Sequence, residues 1–228
     1  MRVTFELSEK CNAECPLCLR SQAQLGKHEL LLEDIQHILP VNILDQIQHI
    51  HLGGNIGDPI AAKDCLKICQ YLSENKVKTW IETNGSLRNI KWWEDLGKAF
   101  NNETDSFVVF HIDGLEDTNH IYRQKTNFKK IIENAESYIN QGAIAIWEFI
   151  PFRHNEHQVE EAKKIADDMG FDKFRIRRSN RYWKNPDDHY TFDNSYDGIT
   201  TIMPPTQEKY LGSRLSKKKE LEKYLDEN

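Results

Sequence analysis

At 228 residues, with 39% hydrophobic and 29% charged side chains, the chain is long and apolar enough to bury one sizeable core, which excludes a disordered protein. Its formal net charge of −6 provides no overall basic field, so nucleic acid is not expected as a partner. No segment approaches the roughly 18 apolar residues of a membrane span, and residence in the cytoplasm is expected.

The first strand, VTFEL near Val3, runs into CNAECPLC, where Cys11, Cys15 and Cys18 are spaced Cys-x3-Cys-x2-Cys. Thiols this close together cannot staple distant parts of a fold. They can take three corners of a cubane iron-sulfur cluster and leave one iron without a protein ligand. A structural zinc site wants four ligands, and no second Cys pair or His pair stands at suitable spacing. A helical stretch from Leu31 to Leu39 leads to a second strand, HIHLG from His49, which ends in Gly54-Asn55-Ile56-Gly57-Asp58-Pro59. Glycines there let the backbone approach a ligand, and Asp58-Pro59 also reads as a helix N-cap followed by Pro at the first helical position. On the next helix, Ala61 to Leu72, Cys65 and Cys69 share a face and read as core thiols.

The third strand, TWIET from Thr79, closes in the turn Thr83-Asn84-Gly85-Ser86. After a helix from Lys91 to Phe100, the fourth strand, FVVFHI from Phe107, ends in His111-Ile112-Asp113-Gly114, with Arg123 downstream. A helix from Thr126 to Ile139 precedes the fifth strand, AIAIWEFI from Ala143, which carries Trp147, Glu148 and Phe149. Asn155 reads as the N-cap of a helix from Glu156 to Met169, and FRIRR from Phe174 is the sixth strand. Histidines such as His49 and His51, alternating along a strand, read without a ligand role. Six βα repeats predict an α/β fold, a partial (βα)6 barrel of parallel strands with helices outside. Residues 1–178 make that domain. From Ser179 the alternation lapses into an irregular stretch with a charged, helix-like end from about Gln207, so 179–228 reads as a C-terminal tail, either a lid or a packing helix. Its segment from Arg181 to Tyr196 is expected near the mouth of the barrel.

At these residues the chain resembles the radical S-adenosyl-L-methionine (SAM) superfamily, whose signature is a CxxxCxxC loop after the first strand of a partial (βα)6 barrel. The likeness covers roughly Val3 to Arg178. Gly54 to Pro59 looks like the family's glycine-rich motif with Asp58 in place of Glu. Thr83-Asn84-Gly85 is similar to its TNG turn. The segment around Asp113 is similar to the SxDG of SPASM and twitch members, with His111 at the Ser position. No cysteine follows Cys69, so the auxiliary clusters of those members have no ligands here. Leu17 stands where the family usually has an aromatic residue beside the adenine.

The resemblance implies one 4Fe-4S cluster on Cys11, Cys15 and Cys18, and a SAM site formed by Gly54, Gly57, Asp58, Pro59, Thr83, Asn84, Asp113, Arg123 and Phe149. In that site Asp58 would receive the methionine ammonium and Arg123 its carboxylate. The residues themselves leave other readings open: Asp58 as a cap, Arg123 as a surface cation, Asp113 as a turn cap in place of a ribose ligand, and Phe149 as core. The implied activity is reductive cleavage of SAM to a 5'-deoxyadenosyl radical, which abstracts hydrogen from a peptide or small polar substrate, with flavodoxin or ferredoxin as reductant. Leu17, Asp58 and His111 are departures that leave room for a non-catalytic iron-sulfur or electron-transfer protein on the same fold.

Overall fold

The computed structural model describes residues 1–22, 26–101, 103–179, 189–194 and 198–212. Strands β1 (Arg2–Phe5), β2 (His49–Leu52), β3 (Thr79–Thr83), β4 (Phe107–His111), β5 (Ile144–Phe149) and β6 (Lys173–Ile176) form one sheet in chain order. Every neighbouring pair is parallel. Such pairing needs a crossover between strands, and the helices α1 (Leu32–Ile38), α2 (Val41–Leu44), α3 (Cys65–Glu74), α4 (Ile90–Phe100), α5 (Asn119–Tyr122), α6 (Phe128–Ile139) and α7 (Val159–Met169) lie in those crossovers. The sheet keeps two edges, β1 and β6, so the expected partial barrel is open on that flank.

Helical period explains how the outer layer docks. The buried residues of α3 are Cys65, Ile68, Cys69 and Leu72, and those of α4 are Trp93, Leu96, Gly97 and Phe100, spaced i, i+3, i+4 and i+7. The α6 set, Ile131, Asn134, Ala135 and Tyr138, follows the same rule, and Asn134 uses its amide to hold the carbonyl of Gly85 at 2.8 Å. Against these faces the strands present Ile50, Leu52, Ile81, Val108, Phe110, Ala145, Trp147 and Phe149, all part of one buried core. Alternate strand residues therefore point the other way, into the barrel.

Beyond β6 the structure departs from the irregular tail that the sequence predicts. Strands β7 (Tyr190–Asn194) and β8 (Gly198–Ile202) pair antiparallel as a hairpin, and Glu208–Tyr210 forms a single 3-10 turn. Most of the stretch from Arg181 to Tyr196, and the charged end beyond residue 212, lie outside the described residues. The hairpin packs onto the cysteine loop: Ile202 and Leu211 are buried in a second apolar cluster with Ala13, Cys15, Leu17, Tyr122 and Phe152. Backbone anchors hold it there. Arg153 N–H donates to the carbonyl of Met203 at 3.1 Å, and the Glu156 carboxylate accepts from the amides of Thr206 and Gln207 at 2.9 and 3.0 Å. Glu156→Ala removes the acceptor of those part-buried amides, which costs about 1 kcal/mol. Amide exchange over residues 198–212 should then quicken more than in β3 or β4, and equal protection of both regions would show that Glu156 is not the anchor.

Candidate active site

Three loops at the C-terminal ends of β1, β2 and β3 are tied to one another by hydrogen bonds. The backbone N–H of Asp58 donates to the carbonyl of Lys10 at 2.9 Å, which lays the glycine-rich loop against the start of the cysteine loop. The approach is too close for side chains. A Cβ on Gly57 would stand 1.8 Å from the carbonyl oxygen of Ser8, and one on Gly54 would stand 1.8 Å from that of Gly57. Glycine is thus required at both positions by space alone.

Asp58 joins these loops to the turn after β3. Its carboxylate accepts from the Thr83 hydroxyl at 2.8 Å, the Asn84 amide N–H at 2.9 Å and the Asn84 side-chain Nδ2 at 2.6 Å. It also caps the turn Pro59–Ala61, accepting from Ile60 N at 3.1 Å. Both oxygens are therefore engaged inside the protein, and the cap reading is realised in the geometry. Burial raises the Asp58 carboxyl above the usual range, although the donors from Asn84, Thr83 and Ile60 oppose it. Asn84 carries the chain of contacts onward, its Nδ2 lying 3.0 Å from Asn12 Oδ1 and 3.6 Å from Cys11 Sγ.

On the far side, the segment after β4 grips the cysteine loop. Glu14 N–H donates to the carbonyl of Gln124 at 3.1 Å, and Lys125 Nζ meets the Glu14 carboxylate at 2.6 Å. Arg123 Nε pairs with Asp113 at 2.6 Å, and its Nη1 lies 3.8 Å from Cys15 Sγ. The other Asp113 oxygen accepts from Ile150 N–H at 2.6 Å, so this carboxylate holds Arg123 against the end of β5. Burial pushes the Cys11 thiol up to about 12, with the charges of Asp58 and Cys15 adding to it, and burial likewise raises Cys15.

Beneath the loops the barrel interior is polar. A cavity of about 450 Å³ is bordered by Cys15, Cys18, Gly54 and Arg123 above, and by His51, Glu82 and His111 from the strands. It continues into a smaller space of about 80 Å³ that reaches Cys11, Gly57, Asp58, Thr83 and Asn84. His111 and Glu148 are direct neighbours in the β4–β5 register. Nδ1 of His111 lies 3.1 Å from Glu148, its Nε2 lies 3.4 Å from Glu82, and His51 approaches the other Glu82 oxygen at 3.5 Å. Arg175 and Arg177 close on Glu148 at 2.6 and 2.8 Å.

These neighbours set the protonation states. Burial alone would lower His111, but Glu148 and Glu82 outweigh it and raise its pKa. Glu82 is lowered by pairing with His111 and His51. Burial opposes the Glu148 carboxylate, yet His111 and Arg177 bring it down to about 2. A depressed carboxylate stabilises the fold above its unfolded pKa and loses that contribution as pH falls through the folded value. For Glu148 the loss spans 4.5 down to about 2. The His111 contribution has the opposite sign, full below 6.5 and lost as pH rises through the raised value. Glu148→Gln should lower stability at neutral pH by about 1–2 kcal/mol, by removing the buried carboxylate that faces His111 and the partly exposed Arg175 and Arg177. It should also flatten the fall of the melting temperature between pH 4.5 and about 2. An acid limb identical to that of the unaltered protein would remove Glu148 from this role.

A family model described as the Radical SAM superfamily matches residues 5–169. The chain belongs to the radical SAM superfamily. It is 26% identical over 170 residues to the mycofactocin maturase MftC of Mycobacterium ulcerans (strain Agy99), covering 74% of this chain and 44% of that protein. Its fold is similar to that of Streptococcus suis SuiB bound to S-adenosylmethionine, at TM-score 0.64 and 18% identity over 77% of this chain and 40% of that one. It is also similar to native anSMEcpe with bound AdoMet and the Cp18Cys peptide, at TM-score 0.58 and 16% identity over 77% and 49%. The chain spans less than half the length of each of these proteins.

Radical SAM proteins use a 4Fe-4S cluster and SAM, and the residues present fit both. Three thiols share one loop, with N–H groups of Asn84 and Arg123 directed at two of them. Such donors favour thiolate, the form that binds iron. The adjoining cavity has the volume of an ordinary small-molecule site. Among the sequence candidates, Cys15, Cys18, Gly54 and Arg123 border the larger cavity, while Cys11, Gly57, Asp58, Thr83 and Asn84 border the smaller. Pro59 is buried at the start of its turn, and Asp113 stands behind Arg123. Phe149 does not join them: it is fully buried beside Phe174 on the helix-facing side of β5. The strand alternation that buries Phe149 turns Glu148 inward, and Glu148, Glu82 and His51 are the interior residues that motif reading passed over. His51, read as a histidine without a role, stacks on Trp80 at 4.6 Å and borders the cavity.

Proposed function

We propose that this chain is the catalytic barrel of a radical SAM enzyme acting on a peptide, with one 4Fe-4S cluster held by Cys11, Cys15 and Cys18. The observation that carries the reading is the convergence of Cys15, Cys18, Gly54 and Arg123 on one wall of the 450 Å³ cavity, opposite a charged barrel interior. When bound, the cluster and SAM supply a carbon radical able to abstract hydrogen, so the hard chemistry belongs to the cofactors.

The protein's part is to bind, orient and shield. Asn84 and Arg123 donate toward Cys11 and Cys15, which favours the thiolates. Arg123, fixed by Asp113, presents its guanidinium to the cavity and suits the SAM carboxylate. Gly54 lines the approach for the amino-acid end of SAM, and Asp58 acts there through the loop it holds together. His111 keeps a proton between Glu148 and Glu82 at the cavity wall. Leu17, Tyr122 and Ile150 supply the apolar side of the pocket and exclude water. Residues 1–178 would form the reacting domain and 179–228 a covering segment, which the packing of Ile202 and Leu211 beside Cys15 supports.

A peptide substrate is favoured by the relatives, since MftC is named a maturase and both SuiB and anSMEcpe have been solved with peptides bound. Flavodoxin or ferredoxin would deliver the electron. Five free cysteines suit a reducing cytoplasm, and no described helix is long and apolar enough to cross a membrane. The test is anaerobic reconstitution with iron and sulfide, followed by dithionite and SAM. Formation of 5'-deoxyadenosine is expected, and a full cluster that neither binds nor cleaves SAM would overturn the enzyme reading in favour of a non-catalytic iron-sulfur or electron-transfer protein.

A further inference from the structure

The open flank of the barrel carries a second, wider hollow. Its volume is about 650 Å³, and it is lined by Glu148, Arg175, Ile176, Arg177, Arg178 and Lys209. Four cations therefore face it with one acid, and that acid is already bridged by Arg175, Arg177 and His111. Lys209 meets the exposed Glu160 at 3.6 Å and lies over the Tyr210 ring at 4.6 Å, neither of which is a buried acid, and no described residue pairs with Arg178. Composition does not account for this, since the chain as a whole carries −6. Position adds a second argument. Arg177 and Arg178 border both the hollow and the cavity beside the cysteines, so the two lie side by side. Strand β6, which runs through the hollow, is an edge strand hydrogen-bonded only to β5 among the described residues, and such an edge can receive an extended chain.

We propose that this flank is the entry path of the substrate, and that it selects a peptide with an acidic segment, whose carboxylates lie along Arg178 and Lys209 while the adjoining residues reach past Arg177 into the cavity. The inference rests on the reading of the substrate as a peptide. Arginine suits such contacts because its planar fork matches a carboxylate in two parallel hydrogen bonds. The lysine adds charge and attraction at longer range.

The probe is a fluorescein-labelled decapeptide of alternating Glu and Ala, compared with its Gln counterpart and with a ten-residue oligothymidylate, by anisotropy on the reconstituted full chain. The acidic peptide should bind, and should weaken as salt is raised. Arg178→Glu and Lys209→Glu should each weaken it about tenfold, by replacing attraction with repulsion, and Arg178→Lys, which keeps the charge but loses the fork, should weaken it less than Arg178→Glu. Lys129→Glu, at a separate hollow beside α6, should leave it unchanged. Circular dichroism and melting temperature confirm that the variants are folded. Equal binding of the Gln peptide, tighter binding of the oligonucleotide, or wild-type affinity in both Arg178→Glu and Lys209→Glu would overturn the proposal. Peptide-free 5'-deoxyadenosine formation by the unaltered protein separates the two readings. SAM cleavage without acidic-peptide binding rejects the flank alone, whereas peptide binding without SAM cleavage rejects the enzyme alone.

Discussion

Replacing any one of Cys11, Cys15 or Cys18 by Ser should abolish the broad visible absorption and most of the bound iron of the reconstituted protein, while Cys65→Ala and Cys69→Ala keep both. Only the first three share a loop that borders the cavities, and each would serve a different iron. Cys65 and Cys69 are fully buried on the core face of α3, where burial raises Cys69 far above its ordinary value and keeps it a thiol. Their loss removes a small apolar group and costs about 1 kcal/mol or somewhat more. Iron analysis against protein concentration decides between the two sets. Loss of iron from Cys65→Ala or Cys69→Ala equal to that from the loop variants would refute the assignment.

The second large effect is expected at Asp58. Were its carboxylate only a partner for the SAM ammonium, Asp58→Ala would weaken SAM binding and leave the cluster alone. Its four hydrogen bonds within the protein argue for more. Without them the Thr83 hydroxyl and the Asn84 backbone N–H are left as buried donors with no acceptor, a loss of about 3 kcal/mol. Asn84, which also donates toward Cys11, would lose its tie to the glycine-rich loop and keep only Asn12 and Ser86. Asp58→Ala should therefore lower the melting temperature, the iron content and SAM affinity together. Full iron content with weakened SAM binding would return Asp58 to a direct role at the ammonium.

The cysteine loop was legible in the sequence because cluster ligation demands a fixed spacing of thiols, and spacing survives in a string of letters. The barrel strands were legible for a similar reason, since βα alternation is a local pattern. The parity of each strand residue was equally available, and the residues alone left Phe149 open as core, yet the family resemblance set Phe149 in the SAM site and gave Glu148 no role. The observed faces of β5 reverse that choice. Charges such as Glu82 and Glu148 look like solvated strand residues until the sheet curls and encloses them with His111, a consequence of tertiary geometry. The hairpin of β7 and β8 escaped notice for another reason. Its strands carry Thr, Asp and Asn with exposed Ile199, and only packing against Ala13 and Leu17 makes Ile202 a core residue.

The central claim is that Cys11, Cys15 and Cys18 hold one cluster with an iron left open to SAM. Electron paramagnetic resonance of the dithionite-reduced, reconstituted protein tests it most directly. A single 4Fe-4S signal whose g-values shift when SAM is added is the predicted result, because SAM would take the open iron. A signal that SAM leaves unchanged, from a protein with its full complement of iron, would contradict the account.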